Sequence, residues 1–409
     1  MLAAMSKPVF NPFDPAFRAN PYPFYDALRE HDPVHVTPFG TVVLTRYEDI
    51  AHTLRSNDFS RDIEANANEP TDPLNKAKRD RRRGREGAKS ILNLDPPDHT
   101  RLRRLVSKAF TPSAIERLRG RVQQLVDDVL DTAAARGGME LIDELAFPIP
   151  FQVISDLLAM PTDRAEEMRE WSQIITQNLE PTSTLDDLDR SDEVFALLIP
   201  YLLNVIEDRR RHPGDDLLSA LIAVEEDGDV LSLPELISFV VLLYIAGHET
   251  TVNLIGNSIN ALLAHPDQLA RWHADPSIGS RAVDECLRLD GPVQQTVRVP
   301  IVPVTYQGID GPVVAQPGTI VTTVLGAANH DPSVFADPHR LDLGRENANR
   351  HLALAAGIHY CLGANLARLE AEVAVGSLVA RFPSMKAAGA ITWRDRLTIR
   401  GVDHLELEF

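Results

Sequence analysis

From Pro234 to about His265 the chain reads as one long apolar helix, and that segment constrains the fold most. Its longest unbroken apolar run, Phe239 to Gly247, is too short for a bilayer, which needs about 20 residues. The protein itself therefore has to cover it. The N-terminal stretch Met1 to Phe10 has a single Lys and no apolar core of the length secretion requires. Residues 1–10 are expected to form a flexible tail and 11–409 one large domain, since no Gly/Ser, Pro-rich or low-complexity linker divides the 409 residues. A cytoplasmic protein without membrane association is expected.

Other helical patterns surround the long one: Tyr22–His31, Asp98–Phe110 with Asp98 as cap, a helix capped by Ser113, Phe151–Leu158, Thr162–Leu179, Asp192–Arg211, Asp216–Glu225, Asp275–Asp290 and Leu362–Phe382. Val34–Val36 and Thr41–Thr45 flank Pro38–Gly40 as a hairpin, 297–323 reads as small sheets, and the tail reads as strands. Residues 60–90 are polar and aperiodic and read as loop. The expected fold class is mainly α with small β-sheets (α+β) packed at one end.

Charge and cysteine count exclude several functions. The net charge of −18 argues against nucleic acid as a partner. Positive charge is concentrated between Lys76 and Lys108, with twelve Lys/Arg against four Asp/Glu. Two readings stand for this cluster: a solvated loop with one basic helix face, or a docking surface for an acidic partner. With only Cys286 and Cys361, a disulfide framework and four-cysteine zinc or iron–sulfur sites are ruled out. Any thiol chemistry must use a lone cysteine.

Cys361 stands just before the last long helix, in Leu352-Ala-Leu-Ala-Ala-Gly-Ile-His-Tyr-Cys-Leu-Gly363. A helix N-terminus favours a thiolate, and Gly357 and Gly363 remove side chains that would obstruct a flat macrocycle. By itself such a cysteine is more often a small buried apolar residue. Within the long helix, Ala246-Gly247-His248-Glu249-Thr250-Thr251 puts an acid and a hydroxyl in apolar surroundings. They either relay protons or serve as a polar face residue and a hydroxyl bonded back to the helix. Glu285 and Arg288, three apart, share a helix face.

Gly357-x-His359-x-Cys361-x-Gly363 resembles the haem-binding signature of the cytochrome P450 family, in its soluble bacterial form. The Ala246–Thr251 and Glu285–Arg288 motifs follow the family order, so the resemblance covers nearly the whole chain. It implies a haem-thiolate monooxygenase. Haem b would be ligated by Cys361, one atom of O2 would enter a small and mainly apolar molecule, and electrons would come from a ferredoxin-type donor with its reductase, since no dinucleotide fingerprint is present. A monomer is expected.

The resemblance assigns the proton relay to Glu249 and Thr250. It assigns haem contacts to His99, Arg103, Ala246, Arg298, Gly357, His359 and Gly363, and a structural cluster to Glu285, Arg288 and Arg340. Substrate-facing positions map to Phe239, Val240, Leu243, Val293, Gln294, Val297, Leu397 and Thr398, with Gln295 also able to orient a polar group; for the helical ones ordinary core packing is the competing reading. Donor docking maps to Arg104 or Lys108. The chain departs from the family at Leu354 and Leu341, where Phe is usual, and at Ala355, where Gly is usual. Leu354 is expected to alter the haem potential. Two other functions remain open on this fold: a peroxide-driven oxidase, disfavoured by the retained Glu249–Thr250 pair, and a non-enzymatic haem- or ligand-binding protein.

Overall fold

The computed structural model describes residues 8–84, 87–107, 110–226 and 229–409. Its axis is the helix Leu233–Ala264. Ser232 and Glu235 cap its start reciprocally, and the helix ends at His265, ahead of Pro266. By length and composition this helix could cross a membrane, yet 72% of its most apolar window is buried inside the protein. A helix that is apolar all round requires such a coat. The coat is formed by Pro148–Leu158, Gly279–Asp290 and Ala364–Arg381, which all pack on the central helix. Gly247 lets the first of these approach: a Cβ there would lie 3.1 Å from Ile154.

The strands form one five-stranded sheet and several sheets of two or three strands. The five-stranded sheet has the order Val34–Val36, Val42–Leu44, Val321–Val324, Gln295–Pro300, Phe59–Ser60. The first pair is the expected hairpin, in register Val34 with Leu44. The pairing of Ser60 with Val299 brings Arg61 beside Arg298. The helix Tyr47–Arg55 packs on this sheet through Ile50 and Leu54. Helix dominates throughout, as the periodicity implies.

Several expectations are corrected. The stretch 60–90 contains the helices Ile63–Asn66 and Pro73–Arg83. The second lacks an apolar stripe and is held by polar bonds. Asp72 caps it, the Lys78 amine binds the Ser183 carbonyl, and the Arg79 guanidinium bonds the carbonyls of Asn68 and Ala67 at 2.6 and 2.7 Å. Several members of the basic cluster form ion pairs at the surface of the chain: Arg81 with Asp189 and Asp192, Arg83 with Glu69, Lys89 with Asp62, Lys76 with Asp80. Arg101 faces inward, onto Asp229 and Glu235. Lys108 and residues 1–7 lie outside the described residues. Phe10, assigned to the tail, packs edge-on against Phe17. Asp98 is the first helical residue rather than a cap. Thr111, not Ser113, caps the short helix Pro112–Glu116, ahead of Arg119–Arg136.

Candidate active site

Cys361 lies two residues before Gly363, the N-cap of the final helix, and its amide bonds the Leu354 carbonyl at 3.0 Å. Burial pushes its thiol up, while the Gly363 amide, Arg103 and Arg368 pull the other way. The helix end alone therefore does not secure a thiolate. Ligation to a cation would, because metal binding displaces the thiol proton. Gly357 is required for a reason other than the expected one. Its φ is +72°, and a Cβ there would meet the Leu54 carbonyl at 2.3 Å. Around Gly363, in contrast, nothing stands within 4 Å, which leaves room for a macrocycle. Ala355 has φ +59°, so the departure from Gly leaves an alanine in the left-handed region.

Beside this loop is an accumulation of positive charge that Asp95, acting on Arg61 and Arg298 without an ion-pair contact, offsets only in part. Arg298 is buried and Arg61 lies alongside it; their guanidinium groups bond the same Val297 carbonyl at 2.8 and 3.1 Å. Neither forms an ion pair among the described residues. Burial pushes Arg298 down to about 9 and Arg61 down to about 10. The His99 and His359 rings stand 4.3 Å apart, and buried His99 Nδ1 and His359 Nε2 have no hydrogen-bond partner. Burial and the neighbouring cations push His359 down to about 3. Arg103 is half-buried, with Nη2 on the Tyr360 carbonyl at 2.8 Å. Buried cations without counter-charge are costly. The two carboxylates of a haem would supply both the charge and the missing acceptors, so the residues present fit that group. Arg61 escaped sequence reasoning because only strand pairing reveals it.

On the central helix, Ala246 is exposed, in contrast to its buried neighbours Ile245, His248 and Glu249. The Thr250 hydroxyl bonds back to the Ala246 carbonyl at 2.9 Å. Glu249 is 2% exposed and ion-paired to Arg394. Thr250 thus has the local bond of the plainer reading, whereas Glu249 is a buried, ion-paired acid and not a polar face residue; Ala246 and Thr250 remain accessible. Cys286 is buried, and its thiol is pushed up to about 12. It is inert.

The buried acid of the Gly279–Asp290 helix has a different partner from the one expected. Glu285 binds Arg288 at 2.7 Å and Arg345 at 3.1 Å, with side-chain exposures of 0%, 0% and 8%. The side chain of Arg340 is 64% exposed and lies 3.5 Å from Asp267. Only its carbonyl joins the cluster, accepting from Arg288 at 3.1 Å. Between the two arginines the chain turns, with the Arg345 amide on the Asp342 carbonyl at 2.9 Å, and it is the later arginine that lies inside.

Of the expected substrate positions, Val240, Leu397 and Gln294 present almost no free surface, at 0%, 1% and 1%. Leu397 packs in a cluster with Phe17 and Tyr25, and Gln294 is bonded to the Gly291 carbonyl and Tyr22. They are structural. Phe239 and Leu243 retain a little surface, at 5% and 8%, while Val293, Val297 and Thr398 are half-buried. Gln295 bonds Thr398 Oγ1 at 3.0 Å.

Comparison with known proteins agrees with this geometry. The Cytochrome P450 family model matches residues 34–275 and 280–387. The chain is 41% identical to Cytochrome P450 107B1 of Saccharopolyspora erythraea, covering 96% of each chain. It is 40% identical to the cytochrome P450 monooxygenase PikC of Streptomyces venezuelae, covering 96% of this chain and 92% of that one. The crystal structure of Mycobacterium smegmatis CYP164A2 superposes with a TM-score of 0.87 at 39% identity, over 97% of this chain and 98% of that one. A central helix wrapped by helices, a lone cysteine before the last of them and near-complete alignment with these relatives have one explanation: the chain belongs to the cytochrome P450 family of haem-dependent monooxygenases.

Proposed function

We propose that this enzyme binds haem b through the Cys361 thiolate and transfers one atom of O2 to a small, mainly apolar molecule. The second oxygen atom would leave as water, with two protons and two electrons from a ferredoxin-type donor. The observation that carries this reading is the pair of arginines, Arg61 and Arg298, which have no ion-pair contact among the described residues and stand beside His99, His359 and the cysteine loop. When bound, the haem supplies dioxygen activation and oxygen-atom transfer.

The chain's own residues do the rest. Arg61, Arg298, Arg103, His99 and His359 hold the carboxylates. Ala246 and Gly363 leave space on the two sides. Glu249 would take protons from the solvent side, and the Thr250 hydroxyl would hold them at the open face beside Ala246. Phe239, Leu243, Val293 and Val297 give the substrate an apolar surface, and Thr398 a hydrogen bond. The donor would approach the cysteine side, where Arg104 is exposed and Arg55, Arg350 and Tyr360 line a concavity of about 560 Å³.

The test uses a panel of fatty acids, steroids, terpenoids and macrolides. Binding is read by the change in haem absorption, and turnover is then run under ¹⁸O2 with a ferredoxin and its reductase. One labelled atom per product is expected. Glu249→Gln and Thr250→Ala should each lower product per electron pair by about 10-fold or more. Equal turnover with peroxide alone, or fully coupled turnover in both variants, would contradict the reading.

A further inference from the structure

The segment 394–399 touches three parts of the molecule at once. Arg394 pairs with Glu249 on the central helix, and its Nε lies 3.5 Å from Asp403 at the surface. Arg396 Nη1 lies 3.9 Å from the same Glu249 oxygen but donates instead to Thr176 Oγ1 at 2.9 Å, while its Nη2 donates to the Gln173 carbonyl at 2.9 Å. Both acceptors belong to the last turns of the helix Ala165–Gln177. Just beyond, the Glu180 carboxylate receives the amides of Leu397, Thr398 and Ile399 at 2.9, 2.8 and 3.1 Å. On the other side, Gln294 N–H bonds the Thr398 carbonyl at 3.0 Å, so the turn also abuts the 293–297 segment.

Arg396 thus has two sets of acceptors. One is a buried carboxylate just beyond hydrogen-bonding distance, and the other is the end of a helix. With Thr176 and Gln173 holding it, Glu249 keeps Arg394 as its one bonded arginine. Were the helix end to lift, Arg396 would lose both acceptors. A nearly buried guanidinium, 12% exposed, would then turn to the nearest anion, Glu249. The carboxylate would be bonded by two cations and restrained from moving a proton.

We propose that Arg396 is a positioning residue that links the seating of the Ala165–Gln177 helix to the freedom of Glu249. The seated helix draws Arg396 away from the acid, and a lifted helix returns it. The inference rests on Glu249 being the relay acid. It adds the device that would make the relay competent only in the closed molecule.

Linkage is reciprocal, which fixes the sign of the test. If Glu249 competes for Arg396, then Glu249→Gln removes the competitor and seats the helix end more firmly. Amide hydrogen exchange over residues 173–180 of the holoenzyme should slow several-fold in Glu249→Gln. The same substitution should have no effect there in an Arg396→Met background, where the link is cut. Exchange that is unchanged or faster in Glu249→Gln, or an equal slowing in the Arg396→Met background, overturns the proposal. A second arm uses Thr176→Val, which removes one helix acceptor and leaves Arg396 in place. With myristic acid as probe, electron loss to hydrogen peroxide should rise several-fold while the reduced carbon-monoxide spectrum stays unchanged. Peroxide loss equal to wild type also overturns it. The change in exchange on Glu249→Gln tests the Arg396 link without reference to turnover, whereas fully coupled turnover in Glu249→Gln would remove the relay role, so the two failures are told apart.

Discussion

Replacing Arg345 by methionine removes a buried guanidinium from a cluster that contains one carboxylate and two cations. Glu285 would keep Arg288 on both oxygens, at 2.7 and 2.8 Å, and the Asp342 amide at 2.9 Å. No charge is left unpaired. What is lost are the bonds from Arg345 to the carbonyls of Ala336 at 2.6 Å and Asp337 at 3.3 Å. The Arg340 carbonyl still accepts from Arg288. The Asp337 carbonyl still accepts the Arg340 amide at 3.1 Å, so one newly orphaned carbonyl, that of Ala336, predicts a loss of about 1–3 kcal/mol. Glu285→Gln should cost more, at least about 3–5 kcal/mol, because it strands two buried guanidiniums. Arg340→Ala removes an exposed side chain 3.5 Å from Asp267 and should cost under about 1 kcal/mol. The assay is urea unfolding of the holoenzyme at fixed pH and haem concentration, followed by far-ultraviolet circular dichroism. If Arg340→Ala is as damaging as Arg345→Met, the assignment of the inward arginine is wrong.

Three further outcomes follow from single residues. Glu370, on the final helix and 1% exposed, is pushed by burial up to about 8, opposed weakly by Thr251. Between about pH 4.5 and 8 the native state then holds a proton that the unfolded chain has lost, so stability falls as pH rises. Glu370→Gln should exceed wild type by about a few kcal/mol at pH 8, with the gap closing toward pH 5; a gap independent of pH refutes this. Ala355→Gly should stabilise the protein by about 1 kcal/mol in the same urea assay, since it relieves a left-handed alanine, and a loss of stability would refute the strain argument. Leu354→Phe should move the haem midpoint potential and the rate of first reduction, because Leu354 packs on the core and its carbonyl receives the Cys361 amide. If neither quantity moves, the residue does not tune the site.

The pattern of what sequence revealed has a physical basis. The central helix was legible because its apolar run and the proline at its start, Pro234, are local signals. His99, His359 and Arg298 were legible through motif, and the fold brings them together. Arg61 was not, because it joins Arg298 only through the pairing of Ser60 with Val299. Arg345 and Arg340 are five residues apart, and only the tertiary path of the chain around them decides which points inward. The Pro73–Arg83 helix was read as loop because carbonyl-capping lysine and arginine replace the apolar stripe that periodicity detects. Gln294 and Leu397 were assigned to substrate by position along the chain. Their burial against Gly291 and Phe17 depends on packing that no local pattern encodes.

The central claim is that Cys361 ligates the haem iron. The most direct measurement is the absorption spectrum of the reduced, carbon-monoxide-bound protein, compared among wild type, Cys361→Ser and Cys286→Ser. The account predicts the red-shifted Soret band of an axial thiolate in wild type and Cys286→Ser, and its loss in Cys361→Ser. A thiolate band that survives in Cys361→Ser, or vanishes in Cys286→Ser, would contradict it.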